Sequence, residues 1–206
     1  MKQIIPGLLV LALTLSLLSC LSVESELEIQ NDGSGTLKLS YRVSSMVENI
    51  GRMEEGNTLI PLPLREEDFL RIAAEDDSIV LKDFNSSSDA DYLYIDAEIE
   101  FSRPEGLSIL LGGLSGDNVV FTQDEEGFTL TQRIYEGLGT PISEDAKLLL
   151  ETYFSEDTVT CIVRPETAVR EISLGEILPQ GGGARYTAPV SELVQSENPV
   201  LFTVKW

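Results

Sequence analysis

Residues 22–44 read SVESELEIQ-NDGSG-TLKLSYRVS, and this stretch decides the fold class. In Ser22–Gln30 the apolar Val23, Leu27 and Ile29 point one way, while Glu24, Glu26 and Glu28 point the other. In Thr36–Ser44, Leu37, Leu39, Tyr41 and Val43 alternate with Lys38, Ser40 and Arg42. Successive side chains of a strand point to opposite faces, so strict alternation marks strands with one buried and one wet face. Asn31-Asp32-Gly33-Ser34-Gly35 is turn chemistry, and the whole reads as a β-hairpin. Its outer charges are acidic on one strand and basic on the other, which suits pairing across the hairpin.

Downstream, Ser45 to Glu48 reads as a capping box opening a short helix with Met46, Ile50 and Met53 on one side, and 56–63 is a proline-bearing loop. A second helix is expected over Arg65–Asp77, with Phe69, Ile72 and Ala73 at helical spacing. Acids at its C-terminal end oppose the helix dipole. Ile79–Phe84 and Tyr92–Phe101 form a second strand pair across Asn85–Asp91. The later strand puts Leu93, Ile95, Ala97, Ile99 and Phe101 inside and Tyr94, Asp96, Glu98 and Glu100 outside.

Pro104 opens a helix whose stripe is Leu107, Leu110, Leu111 and Leu114. Asn118–Gln123 and Phe128–Tyr135 make a third hairpin. Thr140-Pro141 is expected to cap a helix running to Phe154, with Ile142, Ala146, Leu149 and Tyr153 inward. Strands follow at Thr158–Val163 and Ala168–Ser173. After the Gly181–Gly183 link come Arg185–Ala188, a turn or helix near Ser191–Gln195, and a last strand Pro199–Trp206. Strands in pairs with helices between them predict an α+β domain, a mostly antiparallel sheet of about eight strands with several short helices on one face.

Ahead of the first strand lies MKQIIPGLLVLALTLSLLSC, residues 1–20. Lys2 supplies a positive start, and Ile4–Leu18 is an apolar run shorter than the roughly 20 residues that span a bilayer. It reads as the h-region of a secretory signal. Leu17-Leu18-Ser19-Cys20 resembles the lipobox of bacterial lipoproteins, in which the peptide is cut between Ser19 and Cys20 and the Cys20 thiol is diacylglycerylated. The expected organisation is a signal peptide over 1–19 and one extracytoplasmic domain over 20–206, held on a membrane of the bacterial cell envelope. Because the first strand starts within a few residues of Cys20, that domain is expected close against the membrane.

Composition narrows the chemistry. With 14 basic and 35 acidic residues the net charge is −21. Such a charge repels a nucleic-acid backbone and offers no basic patch to anionic lipid. The chain has no histidine, which removes Ser-His-Asp and Cys-His catalysis and the usual zinc sites. No Lys precedes Ser or Thr, so no phosphate-binding loop is present, and neither a Ser-x-x-Lys nor a Gly-x-Ser-x-Gly motif occurs. Asn31–Gly35 and Gly112–Asp117 match no calcium-loop pattern and read as ordinary turns. No catalytic residue, metal ligand or cofactor is therefore assigned. With Cys20 acylated, Cys161 is the sole thiol. It shares a strand face with Val159 and Val163 and is expected in the core.

The run from Cys20 through a strand, Asn31-Asp32-Gly33-Ser34-Gly35-Thr36 and the strand Leu37–Val43 resembles the start of LppM-like bacterial lipoproteins. The closing Gly-rich turn and last strand, ending Val204-Lys205-Trp206, are similar in kind. What the resemblance implies is an envelope-exposed α+β domain with lipid-related binding and no catalytic residues to carry over.

Three functions fit these readings. One is a non-catalytic envelope lipoprotein that binds a lipid or other hydrophobic ligand between sheet and helices, with Met46–Met53, Leu107–Leu114 and Ile142–Phe154 as the cover. The second is an interaction or scaffold protein that meets another envelope protein through the outward Tyr92 and Tyr94. The third is a hydrolase using paired carboxylates in a cleft.

Overall fold

The computed structural model describes residues 21–44, 63–112, 118–154 and 156–206. Ser19, Cys20, the signal segment, the Met46–Met53 helix and Leu114 lie outside the described residues, as do the side chains of Leu149 and Tyr153.

The hairpin forms as the alternation requires. β1 (Leu21–Ile29) and β2 (Gly35–Ser44) pair antiparallel from Leu21↔Val43 to Ile29↔Gly35. Of the outer charges, Lys38 reaches Glu28 at 3.4 Å across the hairpin, whereas Arg42 turns elsewhere. The turn is closed by Asp32, whose carboxylate accepts from the Ser34 N–H at 2.9 Å and hydroxyl at 2.6 Å.

α1 (Glu66–Ala73) stops short of the expected Asp77, before the three acids that would sit at its negative end. Two of those acids serve the next turn instead: Arg103 bridges Asp76 at 2.7 Å and Asp77 at 2.8 Å, and Asp76 accepts from the Ser78 N–H. β3 (Ile79–Ser88) and β4 (Tyr92–Phe101) pair antiparallel, with a register shift between Leu81 and Asp83. α2 (Pro104–Gly112) opens at Pro104 as expected. β5 (Val119–Asp124) and β6 (Gly127–Tyr135) are the third hairpin.

α3 (Glu144–Phe154) begins later than the expected Thr140-Pro141 cap. Ser143 performs that job, its hydroxyl accepting from the Ala146 N–H at 3.3 Å. β7 (Thr158–Pro165), the two-residue strands β8 (Glu171–Ile172) and β9 (Glu176–Ile177), β10 (Ala184–Pro189), α4 (Val190–Leu193) and β11 (Val200–Lys205) complete the order.

One expectation needs correction. The described residues form eleven strands in two sheets, rather than about eight in one mostly antiparallel sheet. Sheet A runs β3-β4-β2-β1-β7-β10-β9, and sheet B runs β5-β6-β11-β8. Sheet A is mixed, because β7 joins β1 in parallel, from Val23↔Val159 to Ile29↔Pro165. The hairpin leaves one edge of β1 open, and the strand that fills it arrives after everything from β2 to α3. Nothing local in the sequence marks that pairing.

The apolar faces of the two sheets enclose one core. Tyr186 of β10 meets Phe202 of β11 at 5.9 Å between ring centroids, and Phe202 and Val204 are fully buried. Elsewhere on sheet A the cover is helical. Phe69 of α1 packs on Phe84 of β3 at 5.6 Å, and Leu107 of α2 is fully buried in the same cluster. Cys161 is buried in this core as expected, and burial pushes its thiol up to about 11. A satellite cluster of Leu150, Phe154, Val190 and Val194 joins α3 to α4. Replacing Phe69 with Leu removes the ring contact that seats α1 while keeping most of the volume. The expected cost is about 1 kcal/mol, read from the midpoint of urea unfolding with the slope unchanged.

Candidate functional site

With its apolar side committed to the core, sheet A presents a polar outer face. The registers set its side chains in rows. Tyr94, Arg42 and Ser22 form the row at the end where β1 begins. Asp96, Ser40, Glu24, Thr160 and Thr187 form the next. These two rows, as far as Thr160, border a concavity of about 260 Å³, to which Thr158 also contributes.

The joint of this region is Asp157, just ahead of β7. Its side chain is only 7% exposed, yet it is an acid. A buried carboxylate needs partners, and it has two: the Arg42 guanidinium at 3.1 Å and the Ser22 hydroxyl at 3.2 Å, both on Oδ1. Ser22 Oγ in turn lies 3.4 Å from the donating N–H of Thr158. The Asp157 main chain ties in the helices, donating to Phe154 O and accepting from Val190 N at 2.9 Å. One residue thus holds β1, β2, α3 and α4 together. Arg42 also lies 5.0 Å above the Tyr92 ring, a cation–π distance, and its Nε is buried with no hydrogen-bond partner among the described residues.

The two tyrosines singled out in the sequence share this face. Their rings sit 6.2 Å apart; Tyr92 is half-buried and Tyr94 is 36% exposed. The Tyr94 hydroxyl donates to Asp89 Oδ2 at 3.0 Å. Asp89 is held below the usual carboxylate range by the N–H groups of Asp91 and Tyr92 and by that hydroxyl, and the same bond raises Tyr94.

Glu24 and Asp96 flank Ser40 across the concavity, and Ser40 donates to Asp96 at 2.7 Å. Adjacent strands lie about 4.8 Å apart, so these two acids stand on strands roughly 10 Å apart. Both are exposed, without the apolar pocket in which a carboxyl becomes a general acid. A second concavity, about 300 Å³, opens at the other end of the molecule, beside Asp124, Arg170, Glu171 and Lys205. Its cations are already engaged: Arg170 donates to the carbonyls of Glu126 and Trp206, and Lys205 pairs with Glu171 at 2.9 Å. Among the described residues no three of Cys, Asp and Glu are grouped to hold a metal ion, and no helix is long and apolar enough to cross a membrane.

On sequence, Arg42 belongs among the charges that pair across the hairpin, and Asp157 has no role. An acid in a short link between a helix and a strand has no periodicity to reveal it. Arg42→Met leaves Asp157 Oδ1 with the Ser22 hydroxyl alone. Because the arginine is 32% exposed, solvent offsets part of the loss, and the expected destabilisation is about 2 kcal/mol. Asp157→Asn, which keeps the shape and a Ser22 partner, is expected to cost less. Paired urea titrations of the two variants check the order.

Fold and site together define a two-sheet domain with a helix-backed core and a polar, tyrosine-bearing outer face. No protein family model matches the chain, and no curated protein does. Among solved structures it is similar to the NMR structure of the folded domain of the Mycobacterium tuberculosis LppM protein, at 12% identity over 89% of this chain and 87% of that one, with a TM-score of 0.48.

Proposed function

We propose that this chain is an N-terminally lipid-anchored, non-catalytic domain of the bacterial cell envelope, which binds a partner protein through the polar outer face of sheet A. The observation that carries the reading is the position of β1. It begins at Leu21, the residue after the lipobox Cys20, and lies inside the seven-stranded sheet, with three strands on either side. The anchor is thereby joined to the middle of the fold with no intervening linker.

The concavity bordered by Glu24, Ser40, Arg42 and Asp96 supports recognition of a polar surface, with arginine and tyrosine, residues enriched at interfaces, on its rim. A hydrophobic ligand between sheet and helices has less support. Among the described residues, Phe69, Leu107, Ile95 and Ile99 are buried in the core there. The test is mass spectrometry of the N-terminal peptide of protein extracted from membranes. The expected peptide begins at Cys20 and carries a diacylglyceryl mass. A peptide with unmodified Cys20 would sink the anchor.

A further inference from the structure

We infer that the end of the domain formed by the first residues of β1 and β4 and the last of β2 lies at the headgroup level of a lipid bilayer, with Tyr92 and Tyr94 as interfacial side chains. The inference rests on the lipid anchor proposed above and adds to it which surface meets the membrane.

Three observations place this end. The first is tether length. Leu21 is already paired to Val43, and Cys20 is one residue away, about 3.8 Å of chain. An acylated Cys20 therefore leaves the domain no freedom to lift this end off the surface. Ser44 pairs with Tyr92 and Arg42 with Tyr94, which puts both tyrosines at the same end.

The second is the residue type. Tyrosine sits at membrane–water boundaries because its ring is apolar and its hydroxyl polar. Tyr94 is exposed, its neighbour half-buried, and the two rings are in contact on one face.

The third is charge. In a chain of net charge −21, the outer strand residues of this rim, Ser22, Arg42, Ser44, Tyr92, Tyr94 and Thr158, include no carboxylate. The acids of the same face start one row further up with Glu24 and Asp96 and continue through Glu26, Glu98, Glu28 and Glu100. Two carboxylates beside the rim are engaged, Asp89 by Tyr94 and two N–H groups and Asp157 by Arg42 and Ser22, while Asp91 and Glu156, near them in the chain, are exposed. The described strand residues of the rim thus present an arginine and two tyrosines, and no carboxylate, toward lipid.

The far end of the molecule supplies an internal reference. Trp206, the sole tryptophan, donates from Nε1 to Asn31 Oδ1 at 3.2 Å, at the other end of β1. Nine strand residues separate it from the anchor, roughly 30 Å.

The test uses Tyr94→Trp, with Tyr92→Trp as a second variant should the first fold poorly, in the mature chain 20–206. The protein is coupled through Cys20 to a maleimide lipid in phosphatidylcholine vesicles; Cys161, 3% exposed, stays out of the reaction. Substituting brominated phosphatidylcholine is expected to remove about half or more of the new tryptophan's emission and less than about a tenth of that of Trp206. A new tryptophan that goes unquenched in both variants, or a quenched Trp206, overturns the orientation. The natively acylated protein, reconstituted into the same vesicles, is expected to give the same pattern. If the coupled chain shows that pattern but the native peptide carries no lipid, the anchor reading fails and the orientation with it. If the native peptide is acylated and the tryptophan introduced by Tyr94→Trp stays bright, only the orientation falls.

Discussion

Exporting this chain on an ordinary cleavable signal, with alanine in place of Cys20, is expected to move it wholly from the membrane fraction to the soluble fraction with its melting temperature unchanged. The first half follows from the proposed anchor at Cys20. Buried acyl chains contribute roughly 0.8 kcal/mol per CH₂, and a single chain gives only marginal binding while two hold firmly. With the thiol gone, the described part of the protein offers nothing comparable, since none of its helices is long and apolar enough to cross a membrane. A pair of tyrosines at the rim adds far less than one acyl chain. The second half follows from the fold. The backbone pairing of β1 starts at Leu21, and Ser22 supplies the first side-chain contact to Asp157. An alanine at position 20 removes neither. Fractionation and thermal unfolding of the same preparation check both halves. A variant that stays with the membranes contradicts the proposed anchor, and one that unfolds at lower temperature contradicts its separability from the fold.

How far such statements can be reached from sequence depends on the range of the interactions involved. The β1–β2 hairpin is legible because its cause is local: period-two alternation on both sides of five turn residues. The same holds for β4 and for the β5–β6 hairpin. Pro104 also marks its helix correctly, since a proline at the first turn lacks only an N–H that would be unpaired anyway.

Local signals mislead where several compete. Thr140-Pro141 looks like a cap, but Ser143 caps α3. Arg65–Asp77 has the spacing and length of one helix, but α1 ends at Ala73 and leaves Asp76 and Asp77 to Arg103 and Ser78. What is not legible is long-range. The parallel β1–β7 pairing, the split into two sheets, and the Asp157–Arg42 bond across 115 residues each depend on which distant segments meet. Strands of two residues, β8 and β9, are too short to show any period. Of the candidate site, Tyr92 and Tyr94 are visible as outward aromatics. Their closeness to Arg42 and to the start of β1 comes only with the register.

That register also separates the two glycines of the opening turn, which sequence reading treats alike. Gly33 has φ +82°, a left-handed conformation that suits glycine. Gly35 does not. It is the first residue of β2 and is paired on both sides, to Ile29 of β1 and Phe101 of β4. A Cβ built there would lie 2.1 Å from the Glu28 carbonyl oxygen and 2.8 Å from the Phe101 ring. The first obstacle is backbone, which no rotamer change can move. Gly35→Val therefore has to part β1 from β2 at the point where the hairpin is set, next to a second strand on the other side. The expected loss is on the order of 5 kcal/mol, a large share of the roughly 5–15 kcal/mol that holds a typical domain together. Gly139 provides the control. Its φ is +67°, but nothing lies within 4 Å of the added Cβ, so Gly139→Ala carries backbone strain alone, about 1 kcal/mol. Circular dichroism of both variants through a urea titration distinguishes the two costs. A Gly35→Val protein as stable as Gly139→Ala would mean that β1 and β2 do not approach as closely as their pairing requires.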